Sequence, residues 1–226
     1  MKKYLKYAIG EIILVAIGIL IALWVNDWNE NRKNKVAENK YLIALLEDYE
    51  DNLRISVVII NRIENSLPYL ISLIEQSSLE KPNISVDSLN NAISKLNSMP
   101  SYRSTDRTYN NLVGSGDLKL IQNDSLKTNL AKYYKLLYIL NLVQETHEME
   151  LVQSFQPYIM EYMDFQAVKP TRNEDFKLPE SVEENKILEI MGTRKFRNIV
   201  TLKWAILTDL LDLNKDLLQM RLLLIN

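Results

Sequence analysis

A long apolar run lies close to the N-terminus of this chain. Residues 7–25 read YAIGEIILVAIGILIALWV, and Glu11 is the single charged side chain among them. At about 1.5 Å per residue, a helix of this length spans about 28 Å, which matches the hydrocarbon thickness of a bilayer. The run is apolar on every face, whereas a surface helix of a soluble domain has a polar side. The sequence therefore predicts one transmembrane helix.

Aromatic side chains flank the apolar run on both sides. Tyr4 and Tyr7 stand at its start, and Trp24 and Trp28 at its end. Tyr and Trp concentrate at the headgroup level of membranes, so we expect these four residues to be interfacial anchors. The alternatives are a buried core helix and a cleaved signal peptide with MKKYLKY as its basic start. No small-x-small cleavage site follows at residues 26–29, which favours a retained anchor.

One face of this helix combines an acid with small residues. Glu11, Val15, Gly18 and Ala22 follow one another at spacings of four and three, and Gly18 and Ala22 allow close helix approach. A charged side chain at the bilayer centre costs about 2.5–3.5 kcal/mol on insertion scales, so Glu11 is expected to stay protonated or to find a partner. These residues form a predicted intramembrane helix-contact face, for self-association or for another membrane protein. Alternatively, Glu11 tilts toward the nearer interface and has no function.

Basic residues stand on both sides of the apolar run. Lys2, Lys3 and Lys6 precede it closely, whereas the basic residues after it come only beyond two acidic side chains. Lys and Arg near a span favour the cytoplasmic side. We therefore predict a single-pass membrane protein whose N-terminus is cytoplasmic. Residues 1–28 form the cytoplasmic tip and the anchor, and residues 29–226 form an extracytoplasmic domain.

The region after the anchor has a helical pattern. Residues 29–67 contain neither Gly nor Pro, so the anchor helix is expected to continue until Pro68 breaks or kinks it. Its packing stripe has the four-and-three rhythm of helices that pack on helices, as in a coiled coil. That stripe comprises Leu42, Leu46, Tyr49, Leu53, Ser56, Ile60, Ile63 and Leu67.

Capping residues mark further helices. We expect helices to begin at Ser85, at Asp106, at Asn123 or Asp124, at Ser181 and at Thr193, and Pro157 to kink or end the long helix before it. Residues 164–180 read as an irregular connection. The last helix, to the C-terminus, carries two adjacent apolar stripes and is therefore expected to be buried against at least two other helices. The first stripe comprises Ile199, Leu202, Ile206, Leu210, Leu213, Leu217, Met220 and Leu224, and the second comprises Val200, Leu207, Leu211, Leu218 and Ile225. The predicted fold class is all-α: a single N-terminal transmembrane helix that continues into an antiparallel helical bundle.

The sequence offers little for catalysis or cofactor binding. Cysteine is absent, and the only histidine is His147, which lacks the repeated Glu-x-x-His pattern of a di-iron bundle. We therefore expect His147 to be a solvated or partly buried surface residue and predict no metal, no cofactor and no enzyme activity. Gly114, Ser115 and Gly116 read as a turn, because no strand precedes them.

The near-equal numbers of basic and acidic side chains limit the classes of binding partner. The chain has 27 basic and 29 acidic side chains and a net charge of −2. That balance, without a basic patch, predicts no nucleic-acid partner. The predicted partners are the lipid bilayer and a second membrane helix.

Two stretches carry a resemblance to a known family. Residues 10–33, GEIILVAIGILIALWVNDWNENRK, and the weaker match at residues 108–134, TYNNLVGSGDLKLIQNDSLKTNLAKYY, resemble an uncharacterised family of small membrane-anchored proteins common in Bacteroidota. Trp24 departs from the family pattern, in which a polar residue often stands. The resemblance implies an inner-membrane anchor and a helical domain, and it brings no catalytic residues.

The predicted function is non-enzymatic: a membrane-anchored helical module that binds a partner, scaffolds an assembly or acts as a sensor. A first alternative is a single-span subunit of an ion-driven envelope complex that carries protons through Glu11, an analogy of architecture alone. A second alternative is an enzyme that acts on envelope material, for which no residue gives positive support.

Overall fold

The computed structural model describes residues 2–168 and 187–220, apart from the side chains of residues 2–6, 8, 9 and 167. Within these ranges the regular elements are helices, which confirms the all-α prediction. They are α1 (Lys2–Glu64), α2 (Leu67–Ser77), α3 (Val86–Ser94), α4 (Arg107–Gly114), α5 (Asp124–Glu150), α6 (Gln156–Tyr162), α7 (Phe165–Val168), α8 (Ile187–Met191) and α9 (Arg194–Gln219).

Helix α1 is a single unbroken element of 63 residues. It ends at Glu64, and Pro68 lies in the first turn of α2, where its missing N–H is not needed. The predicted continuation of the N-terminal helix up to Pro68 is therefore confirmed. The apolar part contains an 18-residue window of mean hydropathy 1.9, none of it buried in the structure, and its length and composition are sufficient to cross a membrane.

Local capping explains three of the predicted helix starts. Ser85, Asn123 and Thr193 each accept a hydrogen bond from the backbone N–H three residues further on, at 3.0–3.2 Å. Such a bond satisfies one of the amides that the first helical turn leaves without a partner. The predicted start at Ser181 lies outside the described residues.

The start of α4 corrects a prediction. Asp106 lies at the N-cap position, but its side chain makes no capping bond, since its backbone (φ −131°, ψ 6°) departs from the extended geometry of a capping residue. Asp48 of α1 accepts the bond instead, with 3.1 Å between its Oδ2 and the backbone nitrogen of Thr108. The cap of α4 is thus supplied by a residue far away in the sequence.

The remaining turns follow from glycine and proline. Helix α4 ends at Gly114, Gly116 adopts a left-handed conformation (φ 74°), and a 3-10 turn follows at Asp117–Leu120, so the predicted turn is confirmed. Pro157 does not end its helix. The chain passes from α5 through a π-helical turn, Leu151–Phe155, into α6, and this wider turn precedes the residue that lacks an N–H.

The predicted irregular connection is only partly described. Helix α7 lies within its first residues, and residues 169–180 lie outside the described ranges.

The chain divides into two compact units. Unit 1 combines Met1–Tyr49 with Asp106–Lys127, and unit 2 combines Glu50–Thr105 with Thr128–Asn226. The predicted boundary at residue 28 concerns the membrane and stays a prediction. In unit 1, α1 holds the chain around and after α4 through Asp48, through Tyr41, whose hydroxyl donates to Asp117 at 2.7 Å, and through Glu38, which accepts from the backbone of Gln122 at 2.7 Å.

Unit 2 contains the larger core. Helix α2 packs against α3 and α9, α3 packs against α7, and α8 packs against α9. Within the predicted α1 stripe, Tyr49, Ser56, Ile60 and Ile63 are buried, but Leu46 is 45% exposed. The buried face of α1 instead includes the polar residues Asp48 and Asn52, which a pattern of apolar residues alone does not detect.

The buried face of α9 draws on both predicted stripes, and Val200, Leu207 and Leu211 of the second stripe are buried. Ile206, Leu210 and Leu217 are buried as expected, whereas Leu202 is 38% exposed. Leu224 lies outside the described residues. The centre of the buried face runs along Val200, Lys203, Leu207, Leu210, Asn214 and Leu217. Two polar side chains therefore occupy core positions of this helix.

Candidate functional site

The predicted helix-contact face is open in this structure. Glu11, Val15, Gly18 and Ala22 are all exposed on α1. A methyl group built onto Gly18 meets no atom of the described chain within 4 Å. The face is therefore accessible to a neighbouring helix, and its role in helix contact stays a prediction.

The predicted interfacial anchors are exposed as well. Tyr7, Trp24 and Trp28 expose 78%, 69% and 59% of their surface. The side chain of Tyr4 lies outside the described residues. Their role as interfacial anchors stays a prediction.

A different group of residues is brought together in unit 2, around the non-helical segment 97–105. Asn52 of α1 forms a pair of hydrogen bonds with the backbone of Thr105, both of 2.7 Å, and Ser56 of α1 bonds the hydroxyl of Tyr102 at 2.8 Å. Asn52 and Ser56 are almost fully buried. Asn52 thus pairs with backbone groups of a segment that has no regular structure to satisfy them, and Ser56 holds a side chain of the same segment.

Helix α5 holds the same segment through two further side chains. The backbone N–H of Tyr102 donates to Gln144 at 2.8 Å, and Asn141 exchanges hydrogen bonds of 2.9–3.0 Å with the hydroxyl of Ser104. Burial raises the pKa of the Tyr102 hydroxyl, so this group stays neutral and can both donate and accept. The segment is thus fixed from α1 and from α5.

A third attachment is a buried contact between two basic side chains. Lys203 of α9 donates to the carbonyl of Ser98 at 2.5 Å, and its Nζ lies 2.6 Å from Nε2 of His147 on α5. Both side chains are fully buried, and the ring centroid of Phe155, in the π-helical turn, lies 4.9 Å from the Lys203 Nζ. Within the described ranges, Lys203 forms no salt bridge.

Burial controls the ionisation of this pair. It lowers the pKa of Lys203 to about 7. It also lowers the pKa of His147 to about 3, with a smaller contribution from the charge of Lys203, so His147 is neutral at ordinary pH. A charged Lys203 has only donors, so Nε2 accepts and the ring proton lies on Nδ1. That Nδ1 is buried and has no hydrogen-bond partner among the described residues.

The burial of His147 corrects the prediction of a solvated or partly buried surface residue. The missed signal was spacing. His147 follows Gln144 by three residues and precedes Leu151 by four, which places it on the buried face of its helix. Lys203 likewise follows Val200 by three and precedes Leu207 by four. A polar residue in register with apolar neighbours is a core position, whatever its type.

A cleft of about 430 Å³ lies between the segment 99–104 and α5. We name it the polar cleft, and its α5 wall consists of Asn141, Gln144, Glu145 and Glu148. Arg103 from the opposite wall is exposed, as are Glu145 and Glu148. None of these three charged residues forms an ion pair or hydrogen bond with another described residue.

The lining of the cleft offers polar and charged groups that can bind a ligand. Its side chains are amides, hydroxyls and unpaired charges, and its only histidine neighbour in sequence, His147, is fully buried. Across the described residues, no group of three His, Asp or Glu side chains is placed to hold a metal ion.

Comparison with known proteins gives one match. A family model described as a family of unknown function (DUF6090) matches residues 11–164. This range takes in nearly all of the first resembling stretch and all of the second. No curated protein and no solved structure matches the chain.

Proposed function

Since this chain belongs to that family of unknown function, we propose its role from its own residues. It is a membrane-anchored helical module of a bacterial inner membrane that binds a partner as a scaffold or sensor and has no catalytic activity. Its N-terminus is cytoplasmic, and residues 29–226 lie outside the cytoplasm. The partner contact in the bilayer is made by Glu11, Val15, Gly18 and Ala22.

The observation that carries the proposal is a contrast between two parts of α1, one with exposed apolar side chains and one with apolar side chains buried in a core. Its N-terminal part exposes large apolar side chains on all sides, including Leu14 (74%) and Trp24 (69%). Soluble proteins rarely expose a continuous apolar surface of this kind, because its contact with water is unfavourable. The later part of the same helix contributes Ile59 and Ile63 to the core of unit 2. The exposed apolar run and these core residues therefore belong to one unbroken helix.

Reporter fusions test the topology. Alkaline phosphatase fused after Asn226 should be active, because this reporter matures only outside the cytoplasm, and a green fluorescent protein at the same place should be dark. The matched control is the same pair of fusions on a chain that lacks residues 7–25, which should reverse both signals. A fluorescent and phosphatase-negative full-length chain would contradict the proposed orientation.

A second candidate function rests on Glu11. It is the one acidic side chain within the apolar run of residues 7–25. Ionisable residues in transmembrane segments are costly and are found along ion and proton pathways. On this reading the chain is a single-span subunit of a proton-coupled envelope complex, and Glu11 carries the proton.

A further inference from the structure

We infer that the polar cleft binds a small zwitterion with two ammonium groups and one carboxylate, the chemistry of a basic amino acid such as L-lysine. This inference goes beyond the membrane-anchored module proposed above and does not depend on the membrane location. It would give that module a soluble ligand in addition to a partner in the bilayer.

The first support is a cleft of suitable size with fixed walls. Its volume of about 430 Å³ lies within the range of about 300–1,000 Å³ of small-molecule sites. The segment 99–104 is fixed from α5 by Gln144 and Asn141, from α1 by Ser56, and just outside the segment by the bond from Lys203 to Ser98. A wall held at several points needs little ordering when a ligand enters, and that lowers the cost of binding.

The second support is the set of charges that face the cleft. Glu145 and Glu148 are one helical turn apart on α5, so their like charges repel each other and a cation between them is stabilised. Arg103 lines the cleft from the other wall, and a guanidinium binds a carboxylate through two parallel hydrogen bonds. Because none of the three charges is paired within the described chain, all are available to a ligand.

The charge count selects the ligand class. Two carboxylates and one guanidinium complement two ammonium groups and one carboxylate, which is the charge pattern of a basic amino acid. Met99 and the ring of Tyr102 add apolar surface to the lining, against which the methylene chain of such a ligand can pack.

Isothermal titration of the full-length chain in detergent micelles with L-lysine tests the inference. We expect saturable binding with a dissociation constant below about 1 mM. Glu148→Gln and Arg103→Gln should each weaken it by about tenfold or more, because each removes one charge-assisted contact. Glu75→Gln, an exposed acid on α2 outside the cleft, is the matched control and should leave the affinity unchanged. Circular dichroism checks that each variant keeps its helix content.

Two ligand controls sharpen the test. Cadaverine keeps both ammonium groups but lacks the carboxylate, and 6-aminohexanoate lacks the α-ammonium, so both should bind at least about tenfold more weakly than L-lysine. Equal binding of cadaverine would overturn the role of Arg103 and the zwitterion assignment. Absence of saturable heat with L-lysine up to about 10 mM, or equal binding by wild type and both cleft variants, would overturn the site itself.

Discussion

Lys203 and His147 show how far burial changes the chemistry of single residues. Lysine and histidine ordinarily repel each other when both are charged, yet here their side chains lie 2.6 Å apart and fully buried. The contact is compatible with folding because burial keeps His147 neutral, so that it can accept a hydrogen bond from Lys203. Because the contact depends on the protonation of both side chains, its effect on stability can be measured as a function of pH.

The first prediction concerns the pH dependence of stability. The pKa of Lys203 is about 7 in the folded chain and near 10.5 when unfolded, so between these values the unfolded state binds more protons and stability rises with pH. For His147 the corresponding window runs from about 3 to 6.5. Lys203→Met should remove the rise in the free energy of unfolding between the folded and unfolded pKa values of Lys203. The slope of that rise approaches about 1.4 kcal/mol per pH unit.

The measurement is urea unfolding followed by circular dichroism from neutral to alkaline pH. The exposed Lys132 on α5 gives the control, since Lys132→Met should keep the wild-type slope. Identical slopes for wild type and Lys203→Met would show that Lys203 is not buried as described.

The second prediction concerns the open face of the N-terminal helix. Gly18→Leu should disrupt association in the membrane, because a large side chain keeps helix backbones apart. A Cβ atom added at Gly18 has free space within 4 Å beyond its own helical turn, so a clash of that atom within the described chain does not explain such a loss. Ala16→Leu makes a matched small-to-large change on the opposite side of the helix and should associate like wild type. The readout is recovery of detergent-resistant oligomer or partner.

Glu11→Gln separates the two functional proposals in the same experiment. Gln retains the shape and the hydrogen bonding of Glu but cannot titrate, so assembly should survive. Loss of phenotype with assembly intact would favour the proton-coupled subunit. If Glu11→Gln, Glu11→Leu and Gly18→Leu all assemble and function like wild type, the face has no role.

Among the helices and turns, the features set by neighbouring residues were predictable from the sequence, whereas the hydrogen bonds between distant residues were not. Ser85, Asn123 and Thr193 cap helices that begin next to them, and the turn at Gly116 needs only a glycine, so a short window of sequence contains all the information. The bonds from Asn52 to Thr105 and from Lys203 to Ser98 join residues more than 50 positions apart.

The candidate site escaped prediction for the same reason. It is built around a segment without helical periodicity, and its partners are polar residues at core positions of α1, α5 and α9. A prediction from apolar periodicity assigns polar residues to the exposed face. It therefore misses a polar side chain that is buried because it has a specific hydrogen-bond partner.

The third prediction tests the long-range cap of α4. Asp48→Ala should destabilise the chain by about 1 kcal/mol, because it removes the acceptor for the backbone N–H of Thr108. Asp106→Ala should change stability by less than about 0.5 kcal/mol, since the Asp106 side chain makes no capping bond. The two variants are compared by chemical unfolding. A larger loss in Asp106→Ala than in Asp48→Ala would restore the local cap that the sequence predicts.

At the scale of the whole molecule, the fold class was predictable because every strong local signal agreed. Long stretches without Gly or Pro, helical spacing and capping residues all favour helices, and the regular elements of the described ranges are helices. The division into two units was not predictable, because each unit combines two separate stretches of chain.

The fourth prediction concerns membrane retention of the full-length chain. Washing membranes at alkaline pH strips peripheral proteins, whereas a transmembrane helix stays because its apolar surface remains in lipid. The chain should therefore remain in the pellet. A variant with Leu14, Ile17 and Ile21 changed to Lys should move to the supernatant, because charged side chains in the middle of the run oppose insertion. A wild-type chain released by the wash would contradict the anchor.

The unbroken course of α1 has a consequence for how such a chain can change in length. Each residue added to an α-helix turns everything beyond it by about 100°. One residue inserted between Gly18 and Asp48, which both lie in unit 1, would therefore rotate their two sides of the helix relative to each other by more than a quarter turn. Insertions of about seven residues, two full turns, nearly restore the original phase. Natural length variation in this stretch is therefore expected in steps of whole helical turns.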